Sequence, residues 1–127
     1  MILELEELKQ QLLSHKHELN ELEEAYDLDK CSAEIKKLQD ISAKPDFWND
    51  PSESQKVLQR IKQLEQKIKG FYSLVSSYED LTTLIVMATE EDDSSLVPEI
   101  KSEYSRFAET LEKLTLETLL TGEYDKN

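Results

Sequence analysis

The sequence predicts an all-α fold: a long antiparallel helical hairpin of coiled-coil character, with two N-terminal helices packed on it as a helix bundle. Three observations carry this. Only two glycines and three prolines occur in 127 residues, leaving little turn chemistry for β-hairpins. Leu, Lys, Glu and Gln dominate, with 34% charged and 7% aromatic residues, a mixture that favours long helices. Apolar residues recur in steps of three and four, which a disordered polar chain would not show.

The first helix is expected over residues 2–26. Leu5, Leu8, Leu12, Leu19, Leu22 and Tyr26 make its seam, and the one seven-residue step falls at His15. A second helix is expected over 30–42, with Ile35, Leu38 and Ile41 on one face and Asp29 or Ser32 as N-cap. Lys44-Pro45 stops it, because proline disfavours the helical region for the residue before it. The clearest start signal follows. Asp50 stands as N-cap, Pro51 at the first helical position and Glu53 three residues after the cap.

From there Val57, Ile61, Leu64, Ile68, Phe71, Val75, Tyr78, Thr82 and Ile85 alternate by four and three, giving a helix over 51–89 of about 55 Å. Gly70 lies inside it as a candidate bend. Leu74, Leu81 and Leu84 form a second strip near its end, which predicts packing on two sides there. The acidic stretch Glu90–Asp93 with Ser94 and Ser95 reads as a turn whose acids suit the positive start of the next helix. The last helix is expected over 95–121, seamed by Ile100, Tyr104, Phe107, Leu111 and Leu114, extended by Leu116, Leu119 and Leu120, and closed by Gly122. The chain thus reads as a single helical domain, 1–127, cut at a domain boundary.

The net charge of −13 is unevenly placed. Residues 1–27 and 90–127 carry the surplus, −6 and −7, while 28–49 and 50–89 each balance. Counterion release on phosphate backbones gains nothing from such a bulk surface, so basic protein partners are the expectation. One cysteine, Cys31, cannot form an internal disulfide, which fits a reducing cytosol. Neither a signal peptide nor a membrane span is legible, and a cytoplasmic location is expected.

Chemistry is sparse. His15 and His17 are two apart and point to different helix faces, and Cys31 lacks a partner at ligand spacing, so no metal, cofactor or catalytic residue is expected. Two features stand out. Phe47 and Trp48 place two large rings in an aromatic-poor linker, as a plug on the hairpin or as a partner anchor. Lys56, Arg60 and Lys67 share one face of the long helix, and Lys62 and Lys69 another. Pairing with the acidic first or last helix is the plainer expectation for them, a basic contact face the sharper one.

Pro45-Asp46-Phe47-Trp48-Asn49-Asp50-Pro51, then the heptad helix, then Glu90-Glu91-Asp92-Asp93, then Leu119-Leu120-Thr121-Gly122-Glu123-Tyr124-Asp125-Lys126-Asn127 resemble the N-terminal helical region of bacterial peptide chain release factors. Gly122-Glu123-Tyr124 favours the release factor 2 type. The likeness runs from about Tyr26 onward. It implies a part in translation termination at UAA and UGA codons, with contacts to the ribosome at the stalk base near protein L11 and its rRNA. It also implies involvement with the GTP-binding class II release factor. The Ser-Pro-Phe and Gly-Gly-Gln strings through which such factors read codons and promote hydrolysis are absent from these 127 residues. The resemblance therefore implies a monomeric arm that neither reads nor cuts. The alternative expectation is a free-standing acidic coiled-coil scaffold.

Overall fold

The computed structural model describes residues 2–122, so Glu123–Asn127 of the motif above lie outside the described residues. The described residues are mostly helical, with short turns between helices and no strand among them. Five α-helices occur: α1 (Leu3–Ser14), α2 (Lys16–Tyr26), α3 (Leu28–Ser42), α4 (Pro51–Glu90) and α5 (Val97–Leu120). Short 3-10 turns at Phe47–Asn49 and Ser94–Leu96 precede α4 and α5.

The chain divides into two compact units: Met1–Ala25 with Tyr72–Asn127, and Tyr26–Phe71. A 40-residue helix is long enough to serve two sets of partners, and α4 does so.

In the first unit α1 and α2 lie against the end of α4 and against α5. Glu4 of α1 meets Lys101 of α5 at 2.7 Å, Lys16 Nζ sits 5.2 Å from the centre of the Tyr78 ring, and Tyr78 and Phe107 pack at 5.8 Å. Leu5, Leu8, Leu12, Leu19, Leu22, Leu74, Leu81, Ile85, Ala88, Ile100, Phe107 and Leu111 form its core. The helix expected over 2–26 is broken at His15. Its N–H bonds back to Leu12 at 3.1 Å, a tight i−3 turn, at the one place where the apolar spacing skips a turn. The ring is half-buried against Tyr104 and Phe107. Its Nε2 lies 2.7 Å from the Tyr104 hydroxyl and its Nδ1 3.2 Å from Glu18. With an Nδ1–H directed at the carboxylate, Nε2 accepts from the phenol.

The end of α4 is closed by a Schellman motif: Asp92 N–H bonds to Thr89 O and Asp93 N–H to Ala88 O. Asp92 takes the left-handed position, φ 50°, that glycine usually fills. Asp93 then caps the next turn through Ser95 N–H at 2.9 Å. Gly122, at φ 76°, ends α5 as expected of a glycine at that place.

The second unit is a two-helix hairpin, α3 against the first half of α4. Tyr26 packs edge-on against Phe71 at one end, Glu34 pairs with Arg60 midway, and Phe47 joins Ser54 at the turn, so the helices run antiparallel. The cap of α3 is Asp27, in the left-handed region at φ 47°, accepting from Lys30 N–H; neither Asp29 nor Ser32 is the cap. Ile35, Leu38, Ile41, Val57 and Ile68 are only half-buried, as two helices alone leave one side of a seam facing water.

The seam of α4 departs from the simple heptad reading at one point. Past Phe71 the buried residues are Leu74, Tyr78, Leu81, Ile85 and Ala88, while Val75 is half-buried and Thr82 exposed. The steps Ile68–Phe71 and Phe71–Leu74 are both three, a local overwinding of the stripe. Leucines at 74 and 81 bring more apolar area inward than Val75 and Thr82 could, and in this unit α4 has helices on two sides.

Candidate interaction surfaces

Phe47 and Trp48 stand at the corner between α3 and α4. Proline at 45 ends the helical run, and the chain turns through two 3-10 hydrogen bonds, Phe47 N–H to Lys44 O and Asn49 N–H to Asp46 O. Asp50 then accepts from Glu53 N–H, which starts α4 as its sequence signal predicts. Ser54, 1% exposed, donates its hydroxyl toward both the Phe47 and the Asp50 carbonyl oxygens and ties the corner to the helix. The two rings meet edge to face at 5.0 Å. Phe47 is half-buried, but Trp48 is 62% exposed, so only Phe47 behaves as a plug. The buried serine carried no signal in the sequence beyond its position four residues after the cap.

The three cations singled out on α4 are placed along one side of the same hairpin. Lys56 lies 3.4 Å from Glu53. Arg60 engages Glu34 through two bonds, Nε at 2.8 Å and an NH2 nitrogen at 3.1 Å. Lys67 sits 4.9 Å from the centre of the Tyr26 ring. These contacts are with Glu34 of α3, with Glu53 of α4 itself and with the ring of Tyr26 at the end of the expected first helix, where the charge balance pointed to acids of the first or last helix. Spacing explains this: Glu34 is the acid of α3 that faces α4, with Lys30 and Lys37 one turn away on either side. The Arg60 hydrogen bond, with the charges of Arg60, Lys30 and Lys67, holds the Glu34 carboxyl below its ordinary value of 4.5 against some desolvation.

Charge separates by unit. Residues 1–25 and 72–127 carry twenty acidic and six basic side chains, whereas 26–71 carry eight and nine. Within the hairpin, residues 40–53 hold Asp40, Asp46, Asp50 and Glu53 against Lys44 alone. The remaining shaft therefore has eight basic residues against four acidic ones.

Cys31 is buried with its Sγ 3.3 Å from the Tyr26 carbonyl, in a small-hydrophobe role. His17 pairs with Glu21 on an exposed face, away from His15. No group of three His, Cys, Asp or Glu side chains is arranged to hold a metal among the described residues, and no helix there is long and apolar enough to cross a membrane.

The described residues thus form an acidic helical bundle and a nearly charge-balanced helical hairpin with an exposed tryptophan at its corner. The family is explicit: the chain belongs to the PCRF domain family, whose model matches residues 31–127. Proteins similar to it carry the name peptide chain release factor 2. That of a Staphylococcus epidermidis strain is 28% identical over 98% of this chain and 34% of its own length. That of Streptomyces avermitilis is 33% identical over 94% and 32%, and that of Beutenbergia cavernae 35% over 84% and 29%. The chain thus spans about a third of the length of these relatives. No solved structure matches it.

Proposed function

We propose that this chain is the ribosome-directed helical arm of a release factor of type 2, acting in translation termination by contact and not by catalysis. Membership of the PCRF family and the name shared by its relatives support this reading most directly. In it, codon reading at UAA and UGA and peptidyl-tRNA hydrolysis belong to parts of a longer factor that carry Ser-Pro-Phe and Gly-Gly-Gln. Neither string occurs in these 127 residues. The arm works as a monomer in the cytoplasm, docks at the stalk base near protein L11 and adjoining rRNA, and takes part in the action of the GTP-binding class II factor.

The uneven charge gives the arm two chemistries. The bundle, with fourteen more acids than bases, suits basic ribosomal proteins. The hairpin shaft, led by Lys56, Arg60 and Lys67, is the one part able to approach rRNA without strong repulsion. Cosedimentation with bacterial ribosomes tests this. The chain pellets with ribosomes, neutralising the three cations (K56Q/R60Q/K67Q) weakens binding severalfold at low salt, and no peptide is released from programmed ribosomes. Peptide release by the isolated chain, or failure to pellet, overturns the reading.

A further inference from the structure

The corner of the α3–α4 hairpin is built unlike a solvated turn. Trp48 is the only tryptophan of the chain, and it presents the largest side chain to water with 62% of its surface bare. Burying so large a ring is among the most favourable contributions a single side chain makes to an interface, provided the ring is already held in place. Here it is held. The two 3-10 hydrogen bonds, the buried Ser54 hydroxyl on the Phe47 carbonyl and the Asp50 cap fix the backbone on both sides, and Phe47 abuts the indole edge. Little conformational entropy remains to be lost on docking.

The surroundings select the partner. Asp40, Asp46, Asp50 and Glu53 stand within residues 40–53 against Lys44, with Lys56 just outside paired to Glu53, so the corner of a nearly balanced hairpin is locally negative. A phosphate backbone is repelled there, whereas a protein surface rimmed by Lys and Arg is attracted. We propose that Trp48 is the anchor of a protein-docking corner, and that it inserts into an apolar pocket with a basic rim on a ribosomal protein. The identity of the particle rests on the ribosome-directed reading above; the chemistry of the pocket rests on the corner itself.

A single tryptophan allows a site-specific probe. The full chain, carrying 5-hydroxytryptophan at position 48 so that it is excited apart from ribosomal tryptophans, is titrated with bacterial large ribosomal subunits. Cosedimentation and acrylamide quenching are read together. The expected result is binding with the quenching constant of Trp48 reduced severalfold. Trp48→Ala weakens binding roughly thirtyfold, in the range of a hot-spot residue, with the melting temperature unchanged because the ring is exposed. Asp46→Asn, at a carboxylate making no side-chain cap bond, weakens it a fewfold and flattens the salt dependence. Binding that leaves Trp48 fully quenchable, or that Trp48→Ala does not change, overturns the inference while leaving the ribosome-directed arm standing. Equal protection by protein-free rRNA overturns the assignment to a protein pocket. Absence of binding to the subunit overturns both.

Discussion

The bundle and the hairpin are made from the same kind of helix and differ in how many sides of it are covered. In the bundle, α4 meets neighbours on two sides, and Leu22 and Ile100 are fully enclosed at 0% exposure. In the hairpin, α4 meets α3 and Tyr26; Leu64 and Phe71 are buried there, but Ile35, Leu38, Ile41, Val57 and Ile68 stay half in water. Heptad spacing in both stretches looks equally regular, so periodicity reports that a seam exists and not how deeply it is covered. Coverage decides the energetics. Both units leave large apolar side chains exposed, Leu3, Tyr72 and Leu120 in the bundle and Trp48 and Leu58 in the hairpin, and the hairpin's tryptophan is the largest of them.

Truncation breaks this comparison most sharply. Phe107→Ala in the bundle empties a site that touches Tyr78 and His15, and about 3–5 kcal/mol of stability is expected to be lost. Leu38→Ala in the hairpin removes a half-buried side chain whose neighbours are partly hydrated already, and about 1–2 kcal/mol is expected. Chemical denaturation of the two variants measures the ratio. Equal losses would mean that the hairpin seam is as well enclosed as the bundle core. Next in size is Ser54→Ala, which strips the hydroxyl that bridges the Phe47 and Asp50 carbonyls: about 1–2 kcal/mol, local to the hairpin, with a rise in Trp48 mobility seen by fluorescence anisotropy.

Two left-handed aspartates sharpen the contrast at smaller cost. Asp92 terminates α4 in a left-handed position that glycine fills without strain, so Asp92→Gly is expected to relieve about 0.5–1 kcal/mol of backbone strain. Asp27 occupies a similar backbone conformation but also caps α3 through Lys30 N–H. Asp27→Gly therefore trades relief of strain against loss of the cap and comes out near zero, whereas Asp27→Ala loses both and costs about 1–2 kcal/mol. Thermal melts of the three variants separate the two roles.

What the sequence made legible follows from which physics is local. Asp50-Pro51 with Glu53, Pro98 in a first helical turn and Gly122 at a helix end act through their own backbone, and each stands where those rules place it. The break at His15 has no proline or glycine to announce it. It is held by a hydrogen bond to Tyr104, 89 residues away, and only the missing apolar turn hinted at it. Asp27 gives no clear cap signal in the sequence, because a left-handed N-cap is rare for a residue with a side chain. The choice of Leu74 and Leu81 over Val75 and Thr82 depends on where α5 and α1–α2 lie, which no window of α4 contains. At the corner, Phe47 and Trp48 are conspicuous by composition, but which ring faces water depends on how the corner folds back on α4, which composition does not report.

The smallest expected effect is also the one in which the two units oppose each other. Glu34 in the hairpin has its carboxyl pKa lowered, first by the Arg60 hydrogen bond. A lowered folded-state value means that the ion pair contributes fully above the ordinary value of 4.5 and is lost as pH falls through the folded one. Both side chains are more than a third exposed, at 48% and 36%, so the contribution is that of a surface pair, about 0.2–1 kcal/mol and reduced by salt. Tyr104 in the bundle has its phenol pKa raised, first by burial and then by the Glu18 charge. A raised value means that its contribution is complete below the ordinary 10.0 and is lost as pH rises through the folded one, when the phenolate also ceases to donate to His15. The hairpin should therefore loosen on the acid side and the bundle at the alkaline limit. Amide exchange followed residue by residue across pH, and corrected for its intrinsic rate, reads both limbs. In Arg60→Ala the acid limb should flatten with the alkaline limb intact, and in Tyr104→Phe the reverse; a variant that moves both limbs would show that the two units do not titrate independently.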